Sequence, residues 1–422
     1  MNTLRKIWCR TYQTAFRVAL PLLPYREPKL LENMDAVADL LAGKGLSPVL
    51  IVTDKGISSL GLLRGLTDAL DAQGVEWRVF DEVTANPTIH NVEAARQMYL
   101  DEGCKALIAF GGGSSMDCAK ACGARIVRPK KPVQKMRGLL QVMHRLPTLI
   151  AVPTTAGTGS ETTLAAVITD SETKHKYPIN DFSLIPHYAV LDPAVTAGLP
   201  AGLTATTGMD ALTHAVEAYI GRSTTAHTRA MAIEAVQLIR QYLKRAYDNG
   251  QDLEARAKML RAAYCAGIAF TQSYVGYVHG VAHSLGGQYG LPHGLANAII
   301  LPWFLEEYGP ACHHRLGELA RQTGVAPADA SDAEAAGIFI AWVREMNDSM
   351  GIPRTVDCIQ PEDIPQMAAH ADQESNPLYP VPKLMDAEEL AHMYDVIAGS
   401  QTAGKGASHE RRIPYQSAAA IL

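Results

Sequence analysis

Apolar positions along the chain change their period near its middle. In the first half, short unbroken apolar runs end in polar or glycine residues: Val49-Leu50-Ile51-Val52, the stretch 75–80, Ala106-Leu107-Ile108-Ala109-Phe110, Leu149-Ile150-Ala151-Val152 and Tyr188-Ala189-Val190-Leu191. Runs of this length predict strands buried on both faces. Helical spacing over 60–72 and 92–101 predicts crossover helices between them, and therefore a parallel sheet. A further strand of the same half is predicted over 174–179. Beyond Asp192-Pro193 and Gly198-Leu199-Pro200 the period is helical nearly throughout, over 206–220, 228–247, 253–272, 316–323, 330–350 and 386–397. The pattern predicts an α/β domain over 25–197 and an all-helical domain over 198–398, with an amphipathic extension over 1–24. Residues 399–422, small and polar, read as a loose tail.

Two loops follow buried strands and carry polar chemistry. Gly111-Gly112-Gly113-Ser114-Ser115-Met116-Asp117 opens a helix, and glycines beside a helix N-terminus make a site for a phosphate. The motif is not the full dinucleotide fingerprint, because Met116 stands in place of its third glycine and no acid follows about 20 residues on. Pro153-Thr154-Thr155-Ala156-Gly157-Thr158-Gly159-Ser160-Glu161 forms a second polar loop at a strand's C-terminal end. Open α/β sheets bind ligands along that edge, and two such loops point to a dinucleotide. Asp54 also ends a strand; it could accept hydrogen bonds from the adenosine ribose and repel a 2′-phosphate, favouring NAD over NADP. As a plain helix or turn cap, it would mean nothing for the ligand.

The second half concentrates imidazoles. In Tyr277-Val278-His279-Gly280-Val281-Ala282-His283, the two histidines share a helix face. A turn over 286–290 then leads to Pro292 and His293, so that two helices can aim His279 and His293 at one point. Asp210 and His214 form another i, i+4 pair in an apolar helix. Three nitrogens and one carboxylate suit Fe(II) or Zn(II) in a reactive site better than a structural zinc. The bland alternative is a set of core or solvated polar residues. A divalent metal of this kind stabilises an alkoxide or polarises an aldehyde, with hydride passing to or from a nicotinamide. His283, one turn from His279, is placed to relay a proton or touch the nicotinamide.

Composition narrows the classes. The net charge of −5 gives no drive toward nucleic acid, and no apolar run is long enough for a membrane span. Seven scattered cysteines without a C-x-x-C pattern fit reduced thiols in the cytoplasm. The extension carries Arg5, Lys6, Arg10 and Arg17 with no acid, on helical apolar spacing. Arg17 interrupts the apolar stretch, against a secretory leader. An organelle presequence, a partner-docking helix, or a helix lying on the enzyme body all remain open.

These motifs resemble the iron-containing (group III) alcohol dehydrogenases. GGGSSMDCAK, PTTAGTGSETT, GMDALTHAVEAY and VHGVAHSLGGQYGLPHGLANAI are similar to that family's signatures, and the match runs from about Thr53 to Trp303 and, more loosely, to Met385. The resemblance implies a dehydroquinate synthase-like fold and assembly as a homodimer or larger. It implies Asp210, His214, His279 and His293 as metal ligands, and His283 as a non-ligand residue beside the nicotinamide. It further implies an NAD site at Asp54, Asn86, Gly112, Gly113, Ser114, Ser115, Met116, Thr154, Thr155, Ala156, Gly157, Thr158, Thr163 and Lys176. The expected reaction interconverts a small alcohol and its aldehyde. A metal- and NAD-dependent lyase on the same fold is the alternative, as is a polyol or hydroxy-acid dehydrogenase. The lyase chemistry would need a dense basic cluster that the helical half lacks.

Overall fold

The computed structural model describes residues 1–172 and 175–399; the remainder of the expected tail, 400–422, lies outside them. Nine strands are present among the described residues: β1 (Lys29–Leu31), β2 (Val49–Val52), β3 (Trp77–Phe80), β4 (Ala106–Gly111), β5 (Gly138–Leu139), β6 (Thr148–Pro153), β7 (Ala165–Asp170), β8 (His175–Asn180) and β9 (Tyr188–Val190). Six of them form a parallel sheet in the order β1-β9-β6-β4-β2-β3.

Side chains alternate between the two faces of this sheet, and both faces are covered. Leu50, Val52, Leu107, Ala109, Leu149 and Ala151 pack toward α5 (Ile89–Asp101) and α6 (Gly113–Val127). Val49, Ile51, Ala106, Ile108, Ile150 and Val152 pack toward α2 (Met34–Gly43) and α4 (Arg64–Ala72). Two apolar layers explain why these strands read as unbroken apolar runs.

Three expectations change here. The helix expected over 60–72 begins only at Arg64, as α4, and a short unexpected helix, α3 (Lys55–Ser59), precedes it, with Gly61 at φ +70° between them. That backbone cannot continue a right-handed helix. The strand expected over 174–179 is β8, but it pairs antiparallel with β7 in a separate three-stranded sheet, order β5-β8-β7. Its burial alternates, with Tyr177 and Ile179 inward and Lys176 and Pro178 outward, as one face in water requires. Strands β1, β5 and β7 were not expected at all.

The helical half comprises α7 (Ala201–Ile220), α8 (Ala226–Asp248), α9 (Leu253–Ser273), α10 (Tyr277–Tyr289), α11 (His293–Tyr308), α12 (Pro310–Gln322), α13 (Asp332–Ser349), α14 (Ile364–Ser375) and α15 (Ala387–Ile397). Helix α7 is buried on every side from Gly208 to Ile220, which marks it as the central helix. Small residues let its neighbours approach: Ala211, Ala215 and Ala218 on α7 and Ala262, Ala266 and Ala269 on α9 are fully buried. Helix α14 falls where no helix was expected.

The extension forms α1 (Thr3–Ala19) and lies on the helical half. Arg5 donates to both oxygens of Asp372, at 2.9 and 2.8 Å. Gln13 Nε2 donates to the Tyr379 carbonyl at 2.7 Å, and the Phe16 ring meets Tyr274 edge-on. Of the alternatives for this segment, the structure therefore presents a helix resting on the enzyme body. Its outer side exposes Leu4, Ile7, Trp8 and Val18.

Candidate metal centre and dinucleotide groove

Three helices aim four donors at one point. Asp210 and His214 stand one turn apart on α7, His279 lies in the first turn of α10, and His293 begins α11. One ligand atom from each lies within 4.8 Å of the others. Asp210 Oδ1 is 3.6 Å from His293 Nε2 and 4.0 Å from His279 Nε2. Asp210, His214 and His279 are buried, so they are not a solvated polar pair; the His293 side chain keeps 39 % of its surface and leaves one side open.

Local structure explains the convergence. Helix α10 runs on through Gly286 and Gly287 to Tyr289, so the reversal is made by Gly290 and Leu291-Pro292, not across 286–290. Only Gly290, at φ +67°, takes the left-handed cap that ends a helix. Gly294 then lets α11 close on α7: a Cβ there would stand 2.6 Å from the Thr206 carbonyl and 3.5 Å from Asp210 Cβ. The His214 ring is clamped between Phe270, at 4.1 Å between centroids, and His279, at 4.5 Å.

The three imidazoles are biased toward the neutral form that a cation needs. Burial pushes His214 and His279 below the ordinary imidazole range, and pushes His293 down to about 4 against the pull of Asp210. His279 Nδ1 faces Glu217 Oε2 at 2.6 Å. An Nδ1–H donated to that carboxylate leaves the Nε2 lone pair directed into the cluster. Glu217 was not anticipated from the sequence. Its Oε1 also accepts from Val278 N at 3.0 Å, so one carboxylate both orients a donor and caps α10, whose Gly276 offers no side chain. The available signal was its position three residues after His214 in an otherwise apolar helix. Three neutral imidazoles and one carboxylate, brought together in this way, fit Fe(II) or Zn(II).

The groove is built at the sheet's C-terminal edge. Strands β4 and β6 pair through Gly111 and Pro153, so the two loops that follow lie side by side, and Thr154 N donates to the Gly111 carbonyl at 3.1 Å. Gly112 caps α6 without a side chain, leaving the helix N-terminus open to an anion. Lys120 fastens the second loop from below: its buried Nζ donates to the Ser160 carbonyl at 2.6 Å, Ser160 Oγ at 3.0 Å and Thr163 Oγ1 at 2.8 Å. Asn86 sits at φ +61°, donates its N–H to Ser114 Oγ at 3.3 Å and accepts from Lys176 Nζ at 2.7 Å. Asp54 caps α3, its Oδ1 accepting from Ile57 N at 3.0 Å. The side chains of Ser115, Met116 and Thr163 turn into the protein body, unlike those of Thr155 and Thr158.

Groove and metal centre meet at Gly157. A Cβ there would come within 2.6 Å of Thr207 Cβ, so the second loop presses on α7 one turn before Asp210. The positive charge of Lys176 is felt at both His283 and His293. Residues 31–193 match the family described as iron-containing alcohol dehydrogenase, and residues 204–397 match the C-terminal part of the same family.

The chain belongs to the iron-containing alcohol dehydrogenase family.

It is an oxidoreductase of the alcohol dehydrogenase class. A 1,3-propanediol dehydrogenase of Klebsiella pneumoniae is 35% identical over 383 residues, covering 90% of this chain and 98% of the relative. An NAD-dependent methanol dehydrogenase of Bacillus methanolicus is 38% identical over 339 residues, or 79% of this chain and 89% of that one. The crystal structure of a 1,3-propanediol oxidoreductase superposes with a TM-score of 0.84 at 35% identity, covering 88% of this chain and 99% of its own.

Two further residues of this dehydrogenase were missed by sequence reasoning. Glu374, on α14, holds His283 by an Oε1–Nδ1 contact of 2.7 Å and accepts from Tyr379 OH at 2.7 Å. Burial acts to lower the His283 pKa, but Glu374 outweighs it and the net direction is upward. The His283 ring stacks on His293 at 5.1 Å. Asn297, fully buried one turn beyond His293, directs its amide into the cluster. Neither could be paired with its partner from spacing alone, because α14 was not foreseen and an Asn in an apolar helix carries no label.

Proposed function

We propose that this enzyme reversibly interconverts a small primary alcohol and its aldehyde with NAD(H), using a divalent metal, Fe(II) or Zn(II), held by Asp210, His214, His279 and His293. The observation that carries the reading is the meeting of the four-donor cluster with the glycine-bearing loop at Gly157. A cation at these donors supplies Lewis-acid polarisation of the substrate oxygen, and NAD supplies or accepts the hydride.

The chain's own residues do the rest. Gly112, Gly113 and the backbone of Ser114, Ser115 and Met116 offer the α6 N-terminus to the diphosphate. Thr154, Thr155, Ala156, Gly157 and Thr158 wall the groove, while Thr163 and Lys120 hold that wall in place. Asn86 and Lys176 close its side. Asp54 would meet the adenosine ribose with the carboxylate oxygen that does not cap α3. His283 lies on the open side of the cluster beside His293; held by Glu374, it would touch the nicotinamide and could pass a proton. The relatives acting on propanediol and methanol support a short alcohol as substrate.

A cytoplasmic setting and a homo-oligomer complete the proposal. The first is supported by seven free cysteines, six of them buried, and by the finding that no helix among the described residues is long and apolar enough to cross a membrane. The second is supported by the apolar outer side of α1, which offers a surface to a neighbouring subunit or another docking partner.

The test is NADH oxidation with a panel of short aldehydes, with metal content measured on the same preparation. Wild type should turn over and carry about one divalent ion per chain. His279→Ala should lose both metal and turnover. Full metal content in that variant would reject the ligand assignment, and no turnover of any aldehyde by the metal-bearing wild type would reject the activity.

A further inference from the structure

Asn297 touches the ligand atoms in a way that the metal-centre reading leaves unused. Its Nδ2 donates to Asp210 Oδ1 at 2.7 Å and faces His293 Nε2 at 3.1 Å and His279 Nε2 at 3.2 Å. Its Oδ1 is buried and has no hydrogen-bond partner. One amide nitrogen thus addresses three of the four atoms assigned above to the cation. An imidazole Nε2 has a single lone pair, which serves an N–H or a metal and not both. A nitrogen this close to three atoms that all lie within 4.8 Å of one another also intrudes on the space of a cation bonded to them at about 2.0–2.2 Å.

We propose that Asn297 is a placeholder for the metal: its two amide hydrogens, shared among the three converging acceptors, keep the donors gathered, in competition with the cation. The inference rests on the metal-centre reading. Buried acceptors without donors are costly, and the helices carrying them would otherwise be driven apart. An amide suits the task because it is neutral and can yield. Half a turn about its terminal torsion would direct the unpartnered Oδ1, rather than Nδ2, toward the positive charge. A lysine would add a charge opposing the metal, and a leucine would leave the acceptors bare. A group that stabilises the metal-free form more than the loaded form weakens metal binding by linkage. Removing it should therefore tighten binding, the opposite of what loss of a supporting residue does.

The experiment uses the full chain, stripped by a chelator, as wild type, Asn297→Ala and the near-isosteric Asn297→Leu. Zn(II) affinity is measured by competition with a chromophoric chelator, and Zn(II) release by transfer to excess chelator. Both variants should bind about tenfold more tightly, equivalent to about 1.4 kcal/mol, and release more slowly. The melting temperature should fall more in the stripped variants than in the loaded ones. Unchanged or weaker affinity in both variants would overturn the inference and make Asn297 a support of the loaded site. A wild type that takes up no Zn(II), or binds it equally well after His279→Ala, would overturn the metal-centre reading and the placeholder with it.

Discussion

Glu217→Gln isolates the part of the proposed metal centre that lies behind its four donors. The substitution keeps shape and volume but removes an ionisable carboxyl, pushed up to about 7 by burial, from a buried contact of 2.6 Å with His279 Nδ1, and its effect is read at pH 8, where that carboxyl is ionised. A hydrogen bond to a charged group contributes about 1.5–3 kcal/mol and a neutral one about 0.5–1.5. The difference, about 1–1.5 kcal/mol, corresponds to roughly tenfold in metal affinity. If the new amide turns its NH₂ toward Nδ1, the imidazole proton moves to Nε2 and the lone pair is lost. The effect then reaches the upper part of the range of about 10–100-fold seen for partners of metal-bound histidines. Gln has a single acceptor for the two donors that Glu217 serves, Val278 N–H and His279 Nδ1–H, so one contact is lost whichever way the amide turns, and the melting temperature reports that cost. The assay is chelator competition for Zn(II), with the melting temperature of the stripped protein as control. Affinity within about twofold of wild type, in a variant that still folds, would refute the role of Glu217 in orienting His279.

Other outcomes follow from the groove and its supports. Asp54→Asn should keep the α3 cap, since Asn and Asp cap equally well, while removing the charge proposed to meet the ribose; the ratio of kcat/KM for NADP to that for NAD should rise, and an unaltered ratio would remove the reason for expecting NAD preference. Glu161 is buried with one oxygen unpartnered, and burial pushes its carboxyl up to about 7. The folded chain therefore keeps a proton that the unfolded chain releases between pH 4.5 and about 7, so this group's stabilising contribution is whole below that window and is lost as the pH rises through it. Glu161→Gln should flatten that fall and melt higher than wild type at pH 8, by up to about 3 kcal/mol; an unchanged pH trend between 5 and 8 would count against it.

The sequence alone determined the fold class and the ligands' types. Strands covered on two faces must be apolar at every position, so β2, β4 and β6 were legible, whereas β8, with one wet face, was read as a strand of the same half with no sign that it belongs to a second sheet. The i, i+4 pairs announced themselves because one helix face is fixed by local geometry. What spacing cannot supply is contact between elements far apart in the chain. Glu217 meets His279 across 62 residues, Glu374 meets His283 across 91, and Asn297 meets Asp210 across 87. Each of these is one polar side chain among several on its helix, and its partner is chosen by how the helices pack. The donors were therefore written in the local pattern, while their protonation, their orientation and the amide set among them were decided only when α7, α10, α11 and α14 came together.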